Sequence, residues 1–172
     1  MSRSIVPGNH ITFVLGGARS GKSRHAEALL MRAPPPWTYV ATAQAFDGEM
    51  RERIAAHRAG RAPGWITVEA PLDLPAALGA GTPVLVDCLT LWLTNLVLGE
   101  HDVAAATAAL LAALDRRGAP TVLVSNEVGL GIVPDNALSR RFRDAAGVLH
   151  QRVAARADHV TLVLAGLPMK VK

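Results

Sequence analysis

Residues Gly16-Gly17-Ala18-Arg19-Ser20-Gly21-Lys22-Ser23 constrain the fold of this chain more than any other stretch. They stand between an apolar β-type run, Ile11-Thr-Phe-Val-Leu15, and a segment at helical spacing from about Lys22 to Met31. The spacing is G-x-x-x-x-G-K-[ST], that of a phosphate-binding loop. The glycines let the backbone turn tightly, so that successive N–H groups face phosphate oxygens. The helix that begins there adds the positive end of its dipole. In this reading Lys22 reaches the β- and γ-phosphates, and the Ser23 hydroxyl ligates Mg²⁺.

The rest of the chain alternates in the same manner. Short β-rich runs occur at Trp37 to Ala41, Ile66 to Glu69, Pro83 to Asp87, Thr121 to Ser125 and His159 to Leu164. Helical spacing occupies Asp47 to Arg58, Val103 to Arg117 and Asn136 to Ala157, the last with Leu138, Phe142, Leu149 and Val153 on one side. Strands apolar on both faces, alternating with helices, predict an α/β, P-loop NTPase-like, three-layer fold: a mostly parallel sheet covered by helices on both faces. Ligands of such sheets collect at the carboxyl ends of the strands. Gly16, Thr42, Glu69, Asp87 and Asn126 all fall at those ends, which points to one site. The 172 residues suit a single domain, set at 11–172 and preceded by a short extension at 1–10.

Composition excludes several function classes. The formal charge is +4, but 15 of the 18 cations are Arg in an Ala-rich chain, the bias of a GC-rich genome. Charge therefore carries little weight. One Tyr, three Phe and three Trp, dispersed, make no base-stacking set, and no Lys/Arg run occurs. Arg116-Arg117 and Arg140-Arg141 read as solvated helix faces. No nucleic-acid partner is expected. Cys88 is the sole cysteine, which fits a reducing cytosol. No signal-peptide pattern stands at the N-terminus. The best apolar run, Cys88 to Leu98, is interrupted by Thr90, Thr94 and Asn95 and is too short for a membrane span. A cytoplasmic protein is the expectation.

Two residues could do chemistry beside the loop. Asp87 ends an apolar strand, where an acidic residue would help hold Mg²⁺; it could equally cap a helix starting near Leu89. His57 shares a helical face with Met50 and Ile54 and is flanked by Arg58 and Arg61. A neutral imidazole there could attack phosphorus while guanidiniums neutralise the phosphate oxygens. A structural histidine on a solvated face satisfies the same pattern.

Five segments in order carry a more specific signal: Gly16 to Glu27, Tyr39-Val-Ala-Thr-Ala-Gln44, Asp47-Gly-Glu-Met-Arg-Glu-Arg-Ile54, His57-Arg-Ala-Gly-Arg61 and Asn126 to Pro134. Together they resemble the bifunctional adenosylcobinamide kinase / adenosylcobinamide-phosphate guanylyltransferase family of cobalamin biosynthesis. The resemblance runs from about Ile11 to Lys172. It implies that a nucleoside triphosphate, ATP or GTP, first phosphorylates the aminopropanol hydroxyl of adenosylcobinamide. GTP then gives GMP to that phosphate through a guanylylated histidine, and His57 matches its position. It implies further that Gly17 to Arg24 hold phosphates. Thr42, Ala43, Gln44, Arg58, Ala59, Gly60 and Arg61 line the nucleotide site, and Glu69 and Asp87 serve nucleotide or metal. A homo-oligomer, a trimer, is implied too. Two departures stand out: Asp87 replaces a frequent Glu, and Ala56 precedes His57 where some members carry a second His. Gly129-Leu130-Gly131 also belongs to the pattern, either as part of a corrinoid pocket or as a required turn. A plain P-loop small-molecule kinase is the rival, having no use for a reactive His57.

Overall fold

The computed structural model describes residues 10–44 and 61–172. The apolar runs become strands β1 (Ile11–Gly16), β2 (Trp37–Ala41), β3 (Trp65–Glu69), β4 (Val84–Asp87), β5 (Thr121–Asn126), β6 (His159–Leu164) and β7 (Leu167–Lys170). The intervening helices are α1 (Lys22–Leu30), α2 (Leu74–Ala77), α3 (Leu89–Leu98), α4 (Val103–Asp115) and α5 (Ala137–Arg156). One sheet holds the strands in the order β3-β2-β4-β5-β1-β6-β7. All its pairs are parallel except β6 with β7. The mostly parallel α/β architecture expected from the sequence is therefore present.

Side chains two apart on each strand separate into two cores. Ile11, Phe13, Val84, Val86 and Leu123 pack against α2 to α5 through Leu74, Leu89, Trp92, Leu110 and Leu149. Val14, Leu85, Val122 and Val124 pack on the opposite face against Ala26 and Leu30 of α1, with Trp37 and Tyr39 beside them. Strands fully covered on both faces need the near-continuous aliphatic character that these show. Removing that much apolar area from water is the main force holding the layers together.

Helix ends are built locally. Asp73, Asp102 and Asn136 each accept the N–H three residues on, capping α2, α4 and α5. At the other end of α5, Lys172 Nζ donates to the carbonyls of Ala154, Ala155 and Ala157, a cation on the negative pole of the helix.

Several elements differ from the sequence reading. The run after Cys88 is helix α3, and its N-cap position belongs to Cys88, not Asp87. The short helix α2 and the edge strand β7 were not legible; Pro168 within β7 is tolerated because an edge strand need not donate on its outer side. Leu138, expected on the packed side of α5, is half exposed, since it lies in the first turn before the helix meets the core. The predicted helix over Asp47 to Arg58 lies within 45–60, outside the described residues.

Arg117 departs furthest from expectation. Read as a solvated residue, it is buried, while Arg116 beside it is exposed. Its guanidinium donates to the carbonyls of Leu78, Gly79 and Thr82, and Nε donates to Thr121 Oγ1. These carbonyls follow α2 and would otherwise be orphaned in the interior, so Arg117 closes that helix end from another element. Burial lowers its pKa, but the carbonyl cluster suits a cation. Replacing Arg117 with Met, which keeps volume and loses the donors, should destabilise the fold by about 3 kcal/mol, whereas Arg116→Met should stay within about 0.5 kcal/mol. Denaturant midpoints of the two variants check this.

Candidate active site

Parallel registration brings the polar strand ends to one edge of the sheet. Gly16 aligns with Asn126, Ala41 with both Glu69 and Asp87, and Asp87 with Val124. Strand periodicity then fixes the side. Leu85 packs towards α1, so Asp87 two residues on faces the same way; Trp65 does likewise, and Glu69 follows it at an interval of four. The five residues singled out at strand ends, with Thr42 just past β2, are brought together.

The loop between β1 and α1 is shaped by what it lacks. A Cβ on Gly16 would run into Ser20 Oγ and would stand 2.7 Å from Val163 O. Gly21 has φ +91°, and Arg19 also lies in the left-handed region. Ser20 N–H donates to Gly17 O (3.3 Å), closing the turn. Lys22, buried, arches back so that Nζ donates to Gly17 O at 3.0 Å. Gly17, Ala18, Arg19, Gly21 and Arg24 are exposed, which leaves the loop open to solvent; Ser23 is half-buried. Unlike α2, α4 and α5, α1 begins without a side-chain cap. Its leading N–H groups and positive pole are therefore available to an anion.

A second group of side chains surrounds Asp87. Tyr39 Oη donates to Asp87 Oδ2 at 3.1 Å. Arg61 lies over the Tyr39 ring with Cζ 3.3 Å from its centroid, bonds Thr67 Oγ1 (3.1 Å) and pairs with Glu27 of α1 at 3.8 Å. Trp65 meets Tyr39 edge-on. Burial, then the charge of Asp87, pushes the Tyr39 hydroxyl far up, so it remains a donor. His57, Arg58, Ala59 and Gly60 lie outside the described residues; Arg61 is the first described residue after them. Ala43 and Gln44 follow Thr42 as half-buried residues without regular structure.

Beneath this edge lies a polar scaffold that sequence reading missed. Thr42, fully buried, donates through Oγ1 to Cys88 O (2.7 Å) and accepts from Cys88 N–H (2.9 Å), stapling β2 to the residue after Asp87. Asn95 of α3 donates to Thr42 O and Pro71 O. Asn126 N–H donates to Thr90 Oγ1 (2.7 Å); Thr90 and Ser125 hydroxyls share a 2.9 Å bond, and Ser125 Oγ meets His150 Nε2 at 2.8 Å. Thr90, Asn95 and His150 sit on helices at positions that read as ordinary polar interruptions. Thr42 and Asn126 were visible as polar residues at strand ends, and Ser125 stands next to Asn126. Cys88 is buried, and burial together with Asp87 raises its thiol to about 11, so it stays protonated.

Past Asn126 the chain turns outward. Gly129 N–H donates to Glu127 Oε1 at 2.5 Å, and Leu130 and Ile132 project into solvent. Among the described residues no cluster of three His, Cys, Asp or Glu could hold a metal alone. No helix among them is long and apolar enough to cross a membrane.

Comparison with known proteins adds a chemical identity to this geometry. The model of the cobinamide kinase / cobinamide phosphate guanyltransferase family matches residues 12–171. The bifunctional adenosylcobalamin biosynthesis protein CobP of Pseudomonas aeruginosa is 53% identical over 92% of this chain and 95% of its own. The proteins of the same description named CobU from Salmonella typhimurium and Escherichia coli are 47% and 44% identical, each over 92% of this chain and 98% of theirs. Among solved structures, the flagellar accessory protein FlaH of Methanocaldococcus jannaschii superposes with a TM-score of 0.54 at 11% identity, covering 97% of this chain and 80% of that one. At that identity the likeness is one of fold.

His150 makes the scaffold sensitive to pH. Burial lowers its pKa from 6.5, partly opposed by Glu127, so the folded state favours the neutral ring. Its contribution is complete above the unfolded value and is lost as pH falls through the lower folded one. Melting temperature should therefore drop more steeply between about pH 7.5 and about pH 5.5 in the unaltered protein than in His150→Asn. His25, also lowered by burial, contributes equally to both curves.

Proposed function

We infer that this chain, which belongs to the cobinamide kinase / cobinamide phosphate guanyltransferase family, runs both transfers from the single phosphate loop at Gly16–Ser23. The carrying observation is that loop: an open, uncapped helix start whose backbone is held by Gly16 and Gly21, with Lys22 already folded over it. The Ser20 hydroxyl, buried with no hydrogen-bond partner among the described residues, is a further donor that a phosphate oxygen would satisfy.

In the first transfer, a hydroxyl oxygen of adenosylcobinamide attacks the γ-phosphorus of ATP or GTP, and the bond to the β-phosphate oxygen breaks. Positioning and neutralisation of charge supply most of the acceleration in such reactions. Loop N–H groups, the helix pole and Lys22 supply them here. In the second, the His57 imidazole attacks the α-phosphorus of GTP and pyrophosphate leaves. An oxygen of adenosylcobinamide phosphate then displaces the histidine, taking the GMP and regenerating the free ring. Arg58 and Arg61 would face the phosphates beside His57. Arg61, stacked on Tyr39 and tied to β3 and α1, anchors the end of that segment at the sheet edge. Gly17 to Arg24, Thr42 to Gln44, Ala59, Gly60 and Glu69 line the rest of the nucleotide site in this reading.

Ser23 and Asp87 fit a divalent cation of the magnesium kind. Both offer hard oxygen donors, Asp87 faces the α1 side, and two protein ligands suffice for an ion that takes its remaining ligands from phosphates and water. Such an ion would neutralise charge on the β- and γ-phosphates. Tyr39, by holding Oδ2, leaves Oδ1 of Asp87 to be oriented towards it. A homo-oligomer and a cytoplasmic location complete the proposal.

GTP labelled at the α-phosphate should leave acid-labile, base-stable label on the protein. In His57→Ala that label should vanish while phosphorylation of adenosylcobinamide persists. Kinase activity without label in the unaltered protein would reduce the enzyme to a plain small-molecule kinase, and equal loss of both activities in the variant would remove His57 as the dedicated nucleophile.

A further inference from the structure

The antiparallel hairpin of β6 and β7 sits against the phosphate loop. Leu164 and Leu167 pair across a two-residue turn, Ala165-Gly166, whose φ angles of +51° and +79° make it the primed type that matches strand twist. Gly166 N–H leaves the hairpin and donates to Ser20 O at 2.8 Å. The approach is close: a Cβ on Gly21 would lie 3.4 Å from Gly166 Cα.

That one bond has a directional consequence. The C=O and N–H of a trans peptide point in opposite directions. Drawing Ser20 O outward to the hairpin therefore turns the Gly21 N–H of the same peptide inward, across the loop. We propose that Gly166 is a positioning residue for nucleotide binding: its N–H, set by the left-handed turn, orients the Ser20–Gly21 peptide so that Gly21 N–H faces the bound phosphates. The turn between the last two strands thereby supports the nucleotide site through its backbone. This rests on the reading of Gly16–Ser23 as the phosphate loop.

The geometry makes the idea separable from bulk. A Cβ on Gly166 would meet nothing within 4 Å, so a substitution there is opposed by conformation and not by collision. Asn tolerates the left-handed region and β-branched residues do not. Gly166→Val should raise KM for nucleotide about tenfold in both transfers with kcat within about threefold, the size expected for one misdirected hydrogen bond. Gly166→Asn should recover affinity to within about threefold of the unaltered enzyme. Should Gly166→Val not fold, Gly166→Ala takes its place, with affinity expected to fall in the order Gly, Asn, Ala.

Titration calorimetry with non-hydrolysable GTP, alongside KM and kcat, reads these outcomes. Equal affinity across all variants overturns the proposal, as does an Asn variant as weak as the Val or Ala variant. Failure of the unaltered enzyme to bind nucleotide, or undiminished binding by Lys22→Ala, overturns the phosphate-loop reading itself and is distinguishable from both.

Discussion

At the end of β1 the chain comes so close to itself that no side chain fits. Gly16 has the Ser20 hydroxyl on one side and the Val163 carbonyl of β6 on the other, both within the space a Cβ would occupy. This close approach lets the loop curl back over its own strand instead of swinging out from the sheet. The consequences extend to both neighbours of β1. Glu127 N–H, just past β5, donates to Gly16 O, and the β6–β7 turn reaches Ser20 O. A larger residue at position 16 would push the loop away from both supports at once.

The two faces of the sheet divide the remaining work. On the α1 side stand the groups available for chemistry: Lys22 on the loop, Asp87 held by Tyr39, and Arg61 stacked on the same tyrosine. The opposite side carries most of the helical mass, and its polar groups are buried and mutually satisfied. Thr42, Thr90, Asn95, Ser125 and His150 bond to each other or to backbone at the strand ends. Buried networks of this kind cost heavily when half-made, so they hold strand ends in one arrangement. Such rigidity suits a site whose catalysis depends on fixed dipoles.

How much of this was legible follows from the range of each signal. The loop, the parallel sheet and the convergence of Gly16, Thr42, Glu69, Asp87 and Asn126 rest on local spacing and on strand periodicity, and the structure bears out that architecture. Arg117 and His150 were opaque for the opposite reason. Their partners lie far along the chain, and an Arg in an Arg-Arg pair looks the same whether it meets solvent or three carbonyls. Helix α3 was legible only as a start near Leu89, because it is apolar on nearly every side, which erases the period that reveals a surface helix. The β6–β7 hairpin carried only Ala165-Gly166 as a turn cue, and its contact with Ser20 spans most of the sequence.

The central claim is that one phosphate loop serves both the kinase and the guanylyl transfer. Competition calorimetry with non-hydrolysable analogues of ATP and GTP addresses it directly. One nucleotide should bind per chain, each analogue should displace the other, and Lys22→Ala should weaken both together. Additive binding of the two analogues to the same chain, or loss of one without the other, would contradict it.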